Sequence, residues 1–379
     1  VITSRTSSAP DPAADRSEVA ADRCLHSLSP QSRELSGITP SGALTLGNYL
    51  GALRRFTEHQ DDAFYFVANL HALTTDHHPE QLRRATLSTA ALFIAAGLDP
   101  ERATVFLQSD VPAHVELSYL LESTAHLGEL SRMIQFKQKG GRPGTRASLF
   151  TYPCLMAADI LLYDATDVPV GGDQSQHLEL ARDLAIRFNT LYGRTFVVPR
   201  LAPAAFTTRV RDLADPTTKM SKSAPADAPG VIRMLDDPDT ISRKVRRAVT
   251  DSDGELRYDP DVKPGIANLA EILAALTAGT PEQVLDSVSG YGALKQLCTD
   301  VVIAELEPVR RRHQELFADP AELLGMLAVG AARARTVADA VVTRARAAIG
   351  VVSAVGASGV ADPPAGYHAV HTVKRLPPS

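Results

Sequence analysis

The chain has no tryptophan among its 379 residues and only three cysteines, Cys24, Cys154 and Cys298. The cysteines stand far apart without a Cys-x-x-Cys pair. That excludes a disulfide scaffold and a thiolate-built zinc site, and it fits a reducing, cytoplasmic setting. No run of about 18 or more uncharged apolar residues occurs, so no membrane span is expected. Residues 1–33 are polar and rich in Pro, Ser and Asp, without the basic stretch and apolar core of a secretory signal. Positive charge is also in deficit: 39 basic against 44 acidic residues give a net −5. A basic coat for nucleic acid is excluded, whereas a local basic patch is not.

What is present is enough apolar residue, 44%, for a sizeable core in two or three domains at roughly 100–200 residues each. Residues 1–33 and 351–379 read as flexible tails. Between them the first half alternates strand and helix patterns. Glu34–Ile38, Ala63–Ala68, Thr104–Leu107, Val168–Gly171 and Thr195–Val198 are the strand candidates. A helix opens near Thr45 with an apolar stripe at Leu46, Tyr49, Leu50, Leu53 and Phe56; others cover Pro79–Ala96 and Asp173–Phe188. This alternation predicts an α/β fold, a Rossmann-like doubly wound parallel sheet, over residues 34–225. After residue 225 the strand patterns stop. Thr280-Pro281-Glu282-Gln283 is a helix start with Thr as N-cap, Pro at N1 and Gln at N3. Asp319-Pro320 repeats the device and Gly350 closes the last helix, so residues 226–350 read as an all-helical domain.

Two segments carry chemistry. In Pro40-Ser41-Gly42-Ala43-Leu44-Thr45-Leu46-Gly47-Asn48 a strand leaves through a Gly-containing turn onto a helix. The free N–H groups of such a start favour anions, so phosphate can sit there. The same residues also read as a plain turn with Thr45 as N-cap and Gly47 as packing. Lys219-Met220-Ser221-Lys222-Ser223 is a compact cationic, hydroxyl-rich loop suited to a polyphosphate whose charge grows as it leaves; a solvated surface loop is the plainer reading.

Thr45-Leu46-Gly47-Asn48 resembles the HIGH motif in its T-x-G-N form, and Lys219–Ser223 resembles a complete KMSKS loop, the two signatures of class I aminoacyl-tRNA synthetases. Further segments are similar to bacterial tryptophanyl-tRNA synthetases: Ser36–Gly42, Gly47–Ala52, Gly128–Leu130 with Met133–Lys137, Thr151–Pro153, Leu155–Tyr163, Gly171–His177, Ala248–Ser252 and Lys263–Leu269. The resemblance runs from about Leu35 to Gly350. It implies activation of L-tryptophan with ATP to the adenylate and pyrophosphate, followed by transfer to tRNA(Trp). A carboxylate nucleophile needs no general base, so catalysis reduces to positioning and charge stabilisation. No Ser/His/Asp or paired-carboxylate device is therefore required.

By the same resemblance Lys219, Lys222 and Lys139 hold the β,γ-phosphates and the departing pyrophosphate. Thr45, Gly47 and Asn48 meet phosphates at the helix start, with Met220 and Ser221 in the ATP loop. Gly171 and Asp173 take the ribose, where Asp173 also reads as a helix cap. Magnesium is held by ATP oxygens and water, with no protein cage. Asp159, in the apolar run M-A-A-D-I-L-L-Y, accepts the indole N–H. A carboxylate there is costly unless partnered, so an ion-paired structural Asp is the competing reading. Met156 lines the indole pocket or simply fills core, Tyr152 and Gln174 hold the ammonium, and His71 borders the pocket or is structural.

Leu35, Thr39, Asn69 and Gly172 depart from the family's usual residues and imply a changed rim, with an altered response to indole-like inhibitors. Arg243-Lys244-Val245-Arg246-Arg247 and Arg310-Arg311-Arg312 are the densest basic runs. They are candidates for tRNA phosphate contacts or merely solvated helix faces. A homodimer is expected from the family. Two other readings stay open: tyrosyl-type specificity, and a catalytically retired RNA-binding paralogue. An enzyme that handles tryptophan yet contains none could also keep being made under tryptophan starvation.

Overall fold

The computed structural model describes residues 33–168, 175–201 and 209–352. Apart from Val351, Val352 and Arg33, which donates from Nη1 to Tyr163 O at 2.7 Å, the expected tails lie outside these ranges, as do the site candidates Gly171, Asp173 and Gln174, and Gly172.

Three parallel strands form the central sheet in the order β1 (Leu35–Ile38), β2 (Phe64–Val67), β3 (Thr104–Leu107). They run in strict register, with Leu35 opposite Phe64 and Phe64 opposite Thr104. Both faces are covered, which is why β2 is apolar throughout rather than alternating. Tyr65, Val67, Val105 and Leu107 point into one core; Phe64, Phe66 and Phe106 point into the other.

Helix α1 joins β1 to β2. It runs as Leu46–Asn48, a π-helical turn Tyr49–Leu53, and Arg54–Glu58. α2 (Pro79–Ala95) opens on Pro79 and ends before Gly97, whose φ of 109° makes the turn. After β3 come α3 (Ala113–Glu122), α4 (Leu127–Ser131), α5 (Ile134–Lys139) and α6 (Ser148–Leu161). β4 (Asp167–Val168) and β5 (Arg200–Leu201) form a second parallel pair, and α7 (Ser175–Tyr192) lies between them. From residue 209 onward the described elements are helices: α8 (Pro238–Arg246), α9 (Pro264–Thr277), α10 (Pro281–Asp286), α11 (Tyr291–Ala318) and α12 (Pro320–Ile349). The α10 capping box forms as read: Thr280 Oγ1 accepts from Gln283 N and Gln283 Oε1 accepts from Thr280 N. Asp319 caps α12, and Gly350 ends it at φ 85°.

One expected strand is displaced. Thr195–Val198 is not a strand; the pairing falls at Arg200–Leu201. Asn189 Oδ1 accepts from both Thr195 N and Phe196 N, and Thr195 O accepts from Arg344 Nε. Those backbone groups are already satisfied by side chains, so the ladder begins at Arg200, whose N–H reaches Thr166 O at 2.7 Å. The helix expected to end at Phe188 continues to Tyr192.

Packing crosses the change in secondary-structure content at residue 225. One core joins a sheet face to α1, α2 and α8–α11, and the other joins the opposite face to α3, α6, α7 and the second half of α12. α12 lies on β3 and α3, held by Arg344 to Asp164 at 2.7 Å and Arg335 to Asp110 O at 2.6 Å. The contact is closest at Gly330, where a Cβ would stand 1.9 Å from Val105 O. Gly330→Ala is accordingly expected to lower stability by about 1–3 kcal/mol through overpacking, read as a fall of a few degrees in Tm. An unchanged Tm would mean that the helix does not seat this closely. Cys154 and Cys298 are free and buried; burial pushes both thiols up to about 12, so they are core groups rather than nucleophiles.

Candidate active site

The site stands at the C-terminal ends of the parallel strands, where such sheets gather ligands. Thr45 is fully buried and caps α1. Its Oγ1 accepts from Asn48 N at 3.3 Å, and Asn48 Oδ1 accepts from Thr45 N at 3.0 Å. Because a backbone N–H must donate, the facing atom of Asn48 is Oδ1, so the amide Nδ2 is directed away from the cap. The plain capping reading of Thr45 is therefore realised, and among the described residues it leaves Asn48 with a donor to spare. The π turn that follows, a feature frequent at functional sites, ties α1 to the helical half. Tyr49 Oη donates to Glu305 Oε1 at 2.5 Å, and Arg54 Nη1 donates to Ala275 O.

The lysine loop is one arm of a small antiparallel hairpin closed by a single bridge between Arg211 and Lys219. Met220 N bonds Val210 O, and Asp212 N bonds Thr218 O. Asp215 turns the tip by accepting from Thr217 N and Oγ1. Buried Asn268 of α9 clamps the base, accepting from Arg211 N at 2.8 Å and donating to Arg211 O at 3.1 Å. The hairpin thereby lies against the start of α1. Leu46 N bonds Ile232 O, Met234 N bonds Leu44 O, and a Cβ at Gly47 would touch Val210 and Met220 side chains at 3.5 and 3.8 Å.

Lys222 folds back over the Thr39-Pro40-Ser41-Gly42 turn and donates from Nζ to Thr39 O. Among the described residues no carboxylate pairs with it, and burial pushes its pKa down to about 8. Lys219 is exposed in the same loop. Lys139, at the end of α5, is exposed too, and nothing in the described structure joins it to the other two lysines.

Gly42 matters twice. Its φ is 73°, and a Cβ would stand 2.5 Å from Lys222 O. Gly42→Ala is expected to cost about 1–2 kcal/mol of backbone strain and to displace the lysine loop. The check is a fall of a few degrees in Tm; an unchanged Tm would mean that the turn and the loop do not meet this closely.

Asp159 lies on α6, on one face with Tyr152 and Met156. It is 4% exposed, with both carboxylate oxygens engaged. Oδ2 meets His71 Nε2 at 2.7 Å; Oδ1 accepts from Gln108 Nε2 at 2.7 Å and His114 Nδ1 at 2.6 Å. His114 Nε2 meets Tyr163 Oη at 2.8 Å. Burial raises the Asp159 pKa, but His71 and His114 outweigh it, and the carboxyl sits below its ordinary range. The His71 ring also stands edge-on to Tyr152, centroids 6.2 Å apart, and Tyr152 Oη bonds His177 Nε2. Met156 is partly buried beside the same core. Asp159, His71, Tyr152 and Met156 thus come together. Gln108 and His114 were not among the sequence candidates, although Gln108 directly follows β3, a position where site residues collect.

The basic runs behave unequally. Lys244 is buried, donating to Val231 O and Asp236 Oδ2 at 2.8 and 2.7 Å, so it does not belong to a solvated phosphate-binding face. Arg310 is held by Glu307 through two 2.8 Å bonds, and Arg312 by Glu315 and Glu322. Arg243, Arg246 and Arg247 instead line a surface cavity of about 360 Å³ with Asp239 and Ser242.

A parallel α/β sheet, a capped Thr-x-Gly-Asn helix start and a lysine hairpin laid against it define the class I aminoacyl-tRNA synthetase architecture. The sequence model of the family "tRNA synthetases class I (W and Y)" matches residues 29–307, and the chain belongs to that family. It is 51% identical over 334 residues to tryptophan–tRNA ligase 1 of Streptomyces coelicolor, covering 86% of this chain and 99% of that one. Among solved structures, tryptophanyl-tRNA synthetase of Mycoplasma pneumoniae superposes with a TM-score of 0.77 at 36% identity, over 85% of this chain and 99% of the other. The Campylobacter jejuni enzyme, complexed with ADP and tryptophan, gives 0.71 at 32%, over 84% and 99%.

Proposed function

We propose that this chain is a tryptophan–tRNA ligase that forms tryptophanyl-adenylate from ATP and then charges tRNA(Trp). The observation that carries the reading is the near-complete coverage of tryptophan–tRNA ligases at about half identity, with a buried, ionised acceptor at Asp159 suiting an indole N–H and disfavouring phenylalanine, which has no donor. The tyrosyl and retired-paralogue readings are not favoured. Magnesium, where bound, would be held by the phosphate oxygens of ATP and by water and would offset phosphate charge. Asn48 Nδ2 and the α1 start meet phosphate, with Thr45 and Gly47 shaping it. Lys222, Lys219 and Lys139 stabilise the charge that grows on the departing pyrophosphate. Gly171 and Asp173 hold the ribose, and Tyr152 with Gln174 holds the ammonium. Asp159 takes the indole N–H beside Met156 and His71.

Arg243, Arg246 and Arg247, free of the glutamates that neutralise Arg310 and Arg312, suit the phosphates of tRNA. A second copy of the chain would cover the exposed apolar side chains Val115, Tyr119 and Leu127 of α3 and α4. Among the described residues no helix is long and apolar enough to cross a membrane.

Amino-acid-dependent ATP–pyrophosphate exchange tests the assignment. Exchange with tryptophan alone is the expected result; exchange with tyrosine, or with neither, overturns it.

A further inference from the structure

The donors around Asp159 leave little freedom in how its carboxylate is used. Leu70 N donates to Gln108 Oε1 at 3.1 Å, so the opposite end of that amide must be the Nε2 that faces Asp159. An ionised carboxylate only accepts, so His114 Nδ1 carries a proton. Tyr163 is buried, its pKa raised well above the ordinary value, so it remains a phenol, and its Oη stands 2.8 Å from His114 Nε2. Both ring nitrogens of His114 are thus engaged, Nε2 by Tyr163 and Nδ1 by Asp159, and the imidazole plane is fixed. Oδ1 receives two donors, which fill its lone pairs. Oδ2 meets only His71 among the described residues, and that ring is on the less enclosed side, 13% exposed against 0% for His114. The atom with capacity left for a ligand donor is Oδ2.

We propose that His114, seconded by Gln108, is a positioning residue for amino-acid specificity, turning Asp159 so that Oδ2 is presented to the ring N–H of the substrate. This rests on the reading of Asp159 as the indole acceptor. Neither residue touches the substrate; both act by saturating Oδ1. A freely rotating carboxylate would spread its acceptor over several directions and lose part of the penalty imposed on substrates without a ring donor.

The test compares exchange kinetics for tryptophan and for β-(3-benzothienyl)alanine, in which sulfur replaces the ring N–H at similar shape. In His114→Leu, kcat/KM for tryptophan is expected to fall about 10- to 100-fold, the usual range for losing a partner that orients a ligating group. The loss should lie mainly in KM for tryptophan, with benzothienylalanine and KM for ATP changed less than about threefold. His114→Asn, whose amide nitrogen can donate from the Nδ1 position, should recover most of the preference. Equal losses for both substrates, or Leu and Asn variants that behave alike, overturn the proposal. If His114→Leu does not fold, Tyr163→Phe decides: it keeps the ring but removes the hydroxyl that holds the far side of the imidazole. It should narrow the preference for tryptophan by about two- to fivefold, and an unchanged preference counts against the proposal. Asp159→Asn separates the two levels. If it leaves the preference intact, the acceptor reading itself fails; if it abolishes the preference while the His114 variants do not, only the positioning role falls. Because the protein has no indole, ligand binding can be followed in parallel by the fluorescence of tryptophan itself.

Discussion

Lys222→Ala should slow tryptophanyl-adenylate formation by about 10²- to 10³-fold, the range found when one preorganised donor to developing negative charge is removed. The lysine is the inner member of its loop, bent over the Thr39 carbonyl and set against Gly42, whereas Lys219 stands in solvent. Its low pKa gives the prediction a pH signature. Burial brings it to about 8, so the ammonium is present below that pH and is lost as pH rises through it. The ATP dependence, kcat/KM, reports the free enzyme and is expected to decline above about pH 8. At saturating ATP the phosphates hold the proton on, and kcat should stay flatter. Lys222→Arg remains charged throughout, so its alkaline decline should vanish although its overall level is lower. An Arg variant that keeps the same decline would assign the titration to another group.

Stability should move the other way. A folded-state pKa below the unfolded one means that the native state binds fewer protons between about pH 8 and 10.5, so this group's contribution to stability rises with pH across that window. At pH 7 the charged lysine is a burden on the fold, and Lys222→Met should be at least as stable as the parent while nearly inactive.

What could be read in advance follows the range of the interactions. Thr45 with Asn48, and Thr280 with Gln283, close within three residues, and local cap chemistry made both helix starts readable. The apolar runs of β2 and β3 were readable because a doubly covered parallel sheet imposes them. The strand at Thr195–Val198 was misplaced because its backbone groups are taken by Asn189 and by Arg344, the latter 149 positions away in sequence. Lys244 looked like one cation among four until Asp236 and the Val231 carbonyl enclosed it. Asp159 stood out as a carboxylate in an apolar run, but its donors come from 88, 51 and 45 positions away. Only the fold could bring them to one carboxylate.

Asp159→Asn is expected to lower kcat/KM for tryptophan by about 10³-fold or more, and to narrow discrimination against phenylalanine, because a site built to accept a substrate N–H penalises a side chain that lacks one. The substitution keeps volume but turns one acceptor into a donor. The new NH₂ must face either His71 or the pair Gln108 and His114, which already donate. One of these buried polar groups is then left without a partner, at about 1–3 kcal/mol, so Tm should fall as well. The acid dependence separates the charge from the shape. Burial raises the carboxyl pKa, but His71 and His114 bring it below the ordinary carboxylate value. Its contribution to stability is therefore complete above that ordinary value and is lost as pH falls through the lower, folded one. The stability gap between parent and Asn variant, measured by urea unfolding, should be widest near neutral pH and should shrink below about pH 4. A constant gap across that range would mean that the carboxylate's charge contributes nothing and only its shape is used. A large gap with unchanged preference for tryptophan over phenylalanine would make Asp159 a structural anchor of α6 and leave the indole without its acceptor.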